Sequence, residues 1–238
     1  MLDLMGTTEK KDFLFRFVQS DIRKSLLLDD EALYSTTDQV TADKITRDIL
    51  KFIPRAATIT DATACIGGST YSFAQNFSNV IAIEYDKTRF EYLQYNMSIL
   101  PLYTNSQQYS PQQHNSQSNI WTVLNDPKYS ISTHVECRNG DALVECTKQF
   151  QDAIFIDPPW GGPEYKTLSS VELYLSGLPL SEVCYKFQQH TNYIILKVPV
   201  NFDETAFIKN TQSFMDLIYK NGQLRKMHLL IFRAIHMI

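Results

Sequence analysis

The chain has 238 residues, 44% of them hydrophobic, which is enough to bury one substantial core. A net charge of -4 argues against a nonspecific nucleic-acid coat, which carries a basic surface, so any RNA or DNA substrate should be read at a local feature. The start, MLDLMGTTEKK, lacks the pattern of a signal peptide and no run approaches the roughly 20 apolar residues of a membrane span, so an intracellular protein without a membrane partner is expected.

Residues 12–28 carry Phe13, Leu14, Phe17, Val18, Ile22 and Leu26 at three- and four-residue steps, with Arg16, Arg23 and Lys24 among them and Lys11 just ahead; the spacing predicts one amphipathic helix. After the acidic stretch LDDEALYSTTDQ, a second helix is expected from about Thr41, with Ile45, Ile49, Leu50 and Ile53 on one face, ending before Pro54. ATITDATACIGGSTYSFAQNF reads as strand, glycine-bearing turn and helix, and NVIAIEYD as a second buried strand. The helix after it opens with Thr88 and Glu91 at capping-box spacing and carries Phe90, Leu93 and Met97 inward. The polar tract PLYTNSQQYSPQQHNSQSN has almost nothing to bury, and a flexible surface insertion is expected at about 101–120. HVECRNGDAL reads as a short strand ending in a Gly-Asp turn, while DAIFID and NYIILKV are β-branched apolar runs suited to parallel strands buried on both faces. A final helix is expected at about 203–219, and LRKMHLLIFRAIHMI then supplies one strand or a tight pair. Strands separated by helices predict a doubly wound, mostly parallel α/β sheet of Rossmann-like type over residues 55–238, with residues 1–54 as an N-terminal helical extension.

In such a sheet the ligand sits beyond the carboxyl ends of the central strands. Acids stand at four successive strand ends: Asp61, Glu84, Asp141 and Asp157. The turn after the first strand runs through Asp61, Ala62, Thr63, Cys65, Gly67, Gly68 and Thr70, where glycines let a backbone approach a ligand. Glu84, followed by Tyr85, is placed to accept hydrogen bonds from ribose hydroxyls, and Asp141, followed by Ala142, closes the third strand. A dinucleotide turn wants G-x-G-x-x-G, whereas here adjacent glycines follow an acid that an anionic pyrophosphate would not welcome. A sulfonium cation bearing an ammonium group would, so S-adenosylmethionine is the expected cofactor. The cysteines Cys65, Cys137, Cys146 and Cys184 show neither CxxC nor Cys/His metal spacing, which predicts reduced, packed thiols and no metal.

The segment IFIDPPWGGPEYK is the most specific feature of the chain. An exocyclic amine on a purine is a poor nucleophile because its lone pair is delocalised into the ring. To be methylated it must be held by acceptors that favour a tetrahedral nitrogen, and Asp157 with the carbonyl of Pro158 can serve. Pro158 and Pro159 stiffen the loop, and Trp160 offers a π-face, on which a base gains about 1 to 3 kcal/mol by stacking. A cationic base gains roughly 0.5 to 2 kcal/mol more, so the indole suits a positively charged purine.

These residues resemble the trimethylguanosine synthase family, which methylates guanine N2 of the 7-methylguanosine RNA cap with S-adenosylmethionine. DPPWGGPEY is similar to the family signature P-P-W-G-G-P-D-Y, and LDDEALYSTTD, DATACIGGSTYSFA and VIAIEYD match weaker family segments in the expected order, over roughly 28–201. The resemblance implies a class I methyltransferase core acting as a monomer on capped RNA, Trp160 stacked on the methylated guanine, N-terminal helices walling the cap pocket, and Thr37 near the methionine end of the cofactor. A nucleus, a cytoplasm or a virus replicating in either would suit that chemistry. Many members have serine where this chain has Asp157, and an arginine in a P-R-N turn that grasps cap phosphates where this chain has Pro199, Val200 and Asn201. Lys166, Lys197 and Arg16 are then the candidates for the phosphates. Two alternatives remain open at this point: an exocyclic-amine methyltransferase acting on a base within rRNA, tRNA or DNA, and a noncatalytic cap-binding module.

Overall fold

The computed structural model describes residues 7–102, 112–115, 120–123, 133–224 and 226–236, and the chain forms two compact units, Met1–Gly140 and Asp141–Ile238. The first unit opens with helices α1 (Thr7–Leu14), α2 (Ser20–Ser25), α3 (Ala32–Ser35) and α4 (Gln39–Ile49). The single helix expected over 12–28 is therefore broken. At the break the Arg23 guanidinium donates to the carbonyls of Arg16 and Val18 at 3.1 and 2.6 Å, and the Phe17 amide donates to Gln39 Oε1 at 2.9 Å. Side chains thus satisfy the backbone groups that a continuing helix would have paired. Phe17, expected on the core stripe, is exposed as a result, while Leu14, Phe15, Val18 and Leu26 are buried.

Asp38 caps α4, accepting from the Thr41 amide at 3.2 Å and the Thr41 hydroxyl at 2.7 Å, so this helix starts two residues ahead of the expected Thr41. Its face of Ala42, Ile45 and Ile49 is buried. A buried polar link joins it to α5 (Gly68–Ala74): Thr46 Oγ1 lies 2.8 Å from Ser72 Oγ, which donates to Asp43 Oδ1 at 2.7 Å. Strands β1 (Thr58–Asp61) and β2 (Asn79–Glu84) pair in parallel. Helix α6 (Lys87–Ile99) follows, and its cap is Asp86, accepting from the Arg89 amide at 2.9 Å, instead of a box built on Thr88 and Glu91. Leu93 and Met97 are buried as expected, whereas Phe90 is only half-buried. Buried Asn96 holds residue 27 at both ends, accepting from the Leu27 amide and donating to the Leu27 carbonyl, each at 2.8 Å.

Within the polar tract, residues 103–111 and 116–119 lie outside the described residues. Between them β3 (Gln112–Asn115) pairs antiparallel with β4 (Ile120–Val123), which pairs antiparallel with β5 (His134–Asn139), itself parallel to β2. The order in this unit is β1-β2-β5-β4-β3.

The second unit holds α7 (Ala142–Glu145), β6 (Gln151–Ile156), a 3-10 turn (Pro163–Thr167), a small hairpin of β7 (Tyr174–Leu175) and β8 (Leu178–Pro179), α8 (Leu180–Phe187), β9 (Thr191–Pro199), α9 (Glu204–Thr211), β10 (Met215–Asn221) and β11 (Met227–Ala234). β6 and β9 are parallel, and β11 runs antiparallel to both β9 and β10. Ile154, Phe155, Ile156, Ile194, Ile195 and Leu196 are completely buried, which is why both strands read as unbroken apolar runs. The helix expected to reach residue 219 ends at Thr211. Residues 215–221 pair with β11 instead, and that pairing overrides a local pattern compatible with either state. The C-terminal segment thus supplies one strand whose partner lies before it in the chain.

Candidate active site

β1 ends on Asp61, which is buried. Its carboxylate accepts from Thr70 Oγ1 at 2.7 Å and from the Thr63 amide at 3.3 Å, so both threonines of the turn brace the acid, with Ala62 buried beside it. The turn is strained at Cys65, a non-glycine at φ 49°, while Gly67 adopts φ 104° without penalty. Gly68 is buried against residues 36–37. A Cβ there would lie 2.5 Å from the Thr37 carbonyl oxygen and 2.6 Å from Thr36 Cγ2, so the segment ahead of α4 rests directly on the turn. Thr37 itself is buried. Burial pushes the Cys65 thiol up to about 12, and raises Cys137 and Cys184 as well, which makes them unreactive packing groups.

β2 ends on Glu84. One carboxylate oxygen accepts from the Cys65 amide at 2.9 Å and the other from the Asp86 amide at 2.8 Å, which fixes the side chain over the turn. Burial raises its pKa, and the Asp86 amide, the Arg89 charge and the Cys65 amide pull it back down. Arg89 was not singled out in the sequence. Its guanidinium bonds Glu31 at 2.6 Å, approaches Asp29 at 3.4 Å and reaches Glu84 at 3.7 Å, tying the acidic LDDEAL segment to the end of β2. The signal available was a cluster of acids with no local cation. Tyr85 projects a largely exposed ring, and its carbonyl accepts from Asn139 Nδ2 at 3.1 Å.

In the second unit Asp141 caps α7, accepting from the Leu143 amide at 2.8 Å and from Ser176 Oγ at 2.7 Å, and Ala142 is the buried first residue of that helix. Register Ile156↔Leu196 sets the next positions of β6 and β9, Asp157 and Lys197, side by side. Lys197 Nζ donates to Asp157 Oδ2 at 2.5 Å, and Lys197 is only 5% exposed. It is thus a buried partner of Asp157 and not a surface lysine. Pro158 is buried and Pro159 exposed. Trp160 is half-buried. The Tyr165 ring meets it edge-on with centroids 5.2 Å apart, Lys197 Nζ stands 5.3 Å from its centroid, and its Nε1 is buried with no hydrogen-bond partner among the described residues. Gly161 and Gly162, at φ 87° and 72°, turn the chain into the 3-10 segment. Asn201 donates to the carbonyls of Tyr165 and Leu168, both at 2.8 Å, and so secures the loop that carries Tyr165. Val200 is exposed, as are Lys166, whose Nζ is 5.8 Å from the Tyr165 centroid, and, in the first unit, Arg16.

Among the described residues no three or more His, Cys, Asp or Glu side chains are grouped to hold a metal ion, and no helix is long and apolar enough to cross a membrane.

The chain is 30% identical over 158 residues to an uncharacterized protein of Acanthamoeba polyphaga mimivirus, covering 66% of this chain and 51% of that one. It is 23% identical over 215 residues to the trimethylguanosine synthase of Saccharomyces cerevisiae, covering 87% of this chain and 61% of that one. It thus spans between one half and two thirds of the length of these relatives. A TehB-like S-adenosylmethionine-dependent methyltransferase from Corynebacterium glutamicum aligns with a TM-score of 0.50 at 10% identity, covering 86% of this chain and 92% of that one. That likeness concerns the fold alone, a mixed α/β Rossmann-like methyltransferase fold with N-terminal helices ahead of the core sheet. Residues 56–223 match the RNA cap guanine-N2 methyltransferases, and the chain belongs to that family.

Proposed function

We propose that this protein transfers a methyl group from S-adenosylmethionine to the exocyclic N2 of guanine in a 7-methylguanosine RNA cap. The observation that carries the reading is the loop leaving β6, in which Asp157, two prolines and Trp160 follow one another, with the carboxylate held by Lys197 and the indole braced by Tyr165.

The donor set of the first unit suits a cation better than a pyrophosphate. Asp61 and Glu84 stand at the ends of adjacent parallel strands, and both are oriented by neighbouring hydroxyl or amide groups. Glu84 would accept the ribose hydroxyls, Tyr85 would lie along the nucleoside, and Asp61, backed by Thr63 and Thr70, would face the charged amino-acid end beside Thr37. Gly67 and Gly68 serve the packing of the turn itself, Gly67 against Leu93 and Met97 and Gly68 against residues 36–37. S-adenosylmethionine, when bound, supplies a methyl on a sulfonium, and transfer to nitrogen leaves a neutral thioether.

The protein's own part is positioning. Asp157 and the Pro158 carbonyl would accept the two hydrogens of N2, turning its lone pair out of conjugation. Trp160 would stack on the cationic base and Pro159 would border it, with Asn201 holding the loop. Once methylated, the nitrogen is acidic enough to release a proton to Asp157 or to water, so no strong base is needed.

The test is methyl transfer from labelled S-adenosylmethionine to 7-methyl-GTP and to GTP, side by side, with product masses read. Methylation of 7-methyl-GTP alone is expected. Equal use of both would remove the cationic-stacking argument, and no transfer to either would favour a base within a longer RNA or DNA, or a binding module.

A further inference from the structure

Lys197 and Asp157 form a largely buried ion pair. Their side chains are 6% and 14% exposed, Lys197 on β9 and Asp157 just past the end of β6, strands that already bury continuous apolar surface. Desolvating two charges is unfavourable, and replacing such a pair by apolar groups commonly leaves a fold as stable or more so. Retaining it inside the loop that carries the amine acceptor calls for a role beyond folding. The lysine touches both working parts of that loop, with Nζ 2.5 Å from Asp157 Oδ2 and 5.3 Å from the Trp160 ring centroid.

We propose that Lys197 is a positioning residue for methyl transfer: it holds Asp157 as an oriented carboxylate toward the target amine and occupies one face of Trp160, leaving the opposite face to the cationic base. The proposal rests on the function put forward above. An amine N–H needs an acceptor, and a protonated carboxyl would present an O–H donor in its place. The ammonium beside Oδ2 keeps the group ionised and fixes its rotamer without entering the reaction. Asp157 then orients N2, and the proton lost after transfer can reach water. A cationic purine could not share an indole face with an ammonium, so the same lysine sets which way the base enters.

The experiment begins with the unmodified protein turning over 7-methyl-GTP. Absence of turnover there, with S-adenosylmethionine bound, would count against the function and is a different failure from those below. Lys197→Met, Asp157→Ser and the double variant are then compared for kcat, KM and cofactor affinity. Lys197→Met should lower kcat by about tenfold or more while cofactor affinity stays within about threefold. The double variant should recover about tenfold of that loss, because a neutral hydroxyl needs no cation. A kcat for Lys197→Met within about twofold of the unmodified protein, or a double variant no faster than Lys197→Met, would overturn the proposal. Should Lys197→Met not fold, Lys197→Gln, which keeps a donor and removes the charge, is judged by the same thresholds.

Discussion

The carbonyl oxygen of Thr37 stands 2.5 Å from where a Cβ of Gly68 would be, closer than such atoms approach one another. The segment between α3 and α4 is therefore packed against the glycine turn after β1, with Thr36 Oγ1 3.7 Å from Cys65 Sγ at the same place. Residues 36–37 and the glycine turn therefore pack as one piece of structure.

Gly68→Ala tests that packing. The methyl would meet backbone, which cannot swing aside as a side-chain tip can, so a loss of about 1 to 3 kcal/mol in unfolding free energy is expected. Cofactor affinity should fall with it, because relieving the clash moves residues 36–37 off the turn. Denaturant unfolding and calorimetric titration of S-adenosylhomocysteine check both; an unchanged protein would mean that the segment shifts freely.

Arg89→Ala should separate stability from binding. Its partner Glu31 is 66% exposed at the side chain, so that pair contributes at most about 1 kcal/mol after solvent screening. Losing the guanidinium frees the 29–31 segment and removes a positive charge from Glu84, and cofactor affinity is expected to drop by about tenfold with little change in melting temperature. Faster proteolysis within the 29–31 segment would accompany it. Affinity within twofold of the parent would show that the backbone amides alone position Glu84.

Cofactor affinity should depend on pH through Glu84. Burial raises its pKa above the usual 4.5, so the free protein takes up a proton at higher pH than an exposed glutamate would. Bound ribose hydroxyls favour the carboxylate, which accepts from them, so binding should be flat at neutral pH and weaken as pH falls through the raised pKa. Titrations from about pH 8 down to about pH 4, below the ordinary glutamate value, read this directly. Glu84→Ala should bind weakly throughout and lose that pH dependence.

Trp160→Ala should abolish detectable binding of 7-methyl-GTP while S-adenosylhomocysteine binds within about threefold of the parent, since stacking on an aromatic contributes about 1 to 3 kcal/mol and cationic attraction adds to it. Equal loss of both ligands would assign the indole to packing instead. The buried Nε1, with no hydrogen-bond partner among the described residues, gives a second readout: a shift of the indole N–H resonance is expected when the cap analogue is added.

Features written locally were legible in the residues alone. DAIFID and NYIILKV are unbroken apolar runs because both faces are covered, and they form β6 and β9 as expected. The left-handed turn at Gly161 and Gly162 is likewise announced by glycine, the residue that adopts it without penalty. Elements that depend on distant partners were not legible. The break after α1 depends on Gln39 and Arg23, and the strand at 215–221 depends on β11, so periodicity read one helix in each place.

By itself the sequence determined the class of fold, the order of its central strands along the chain and the composition of the DPPWGG loop, since each follows from short-range pattern and turn chemistry. Only the tertiary structure decided that Lys197 belongs to Asp157, 40 residues away, and that Arg89 belongs to the acids 58 and 60 residues before it. Charge pairing is selected by proximity after folding. A lysine between apolar neighbours reads the same in sequence whether its ammonium ends in water or against a buried carboxylate.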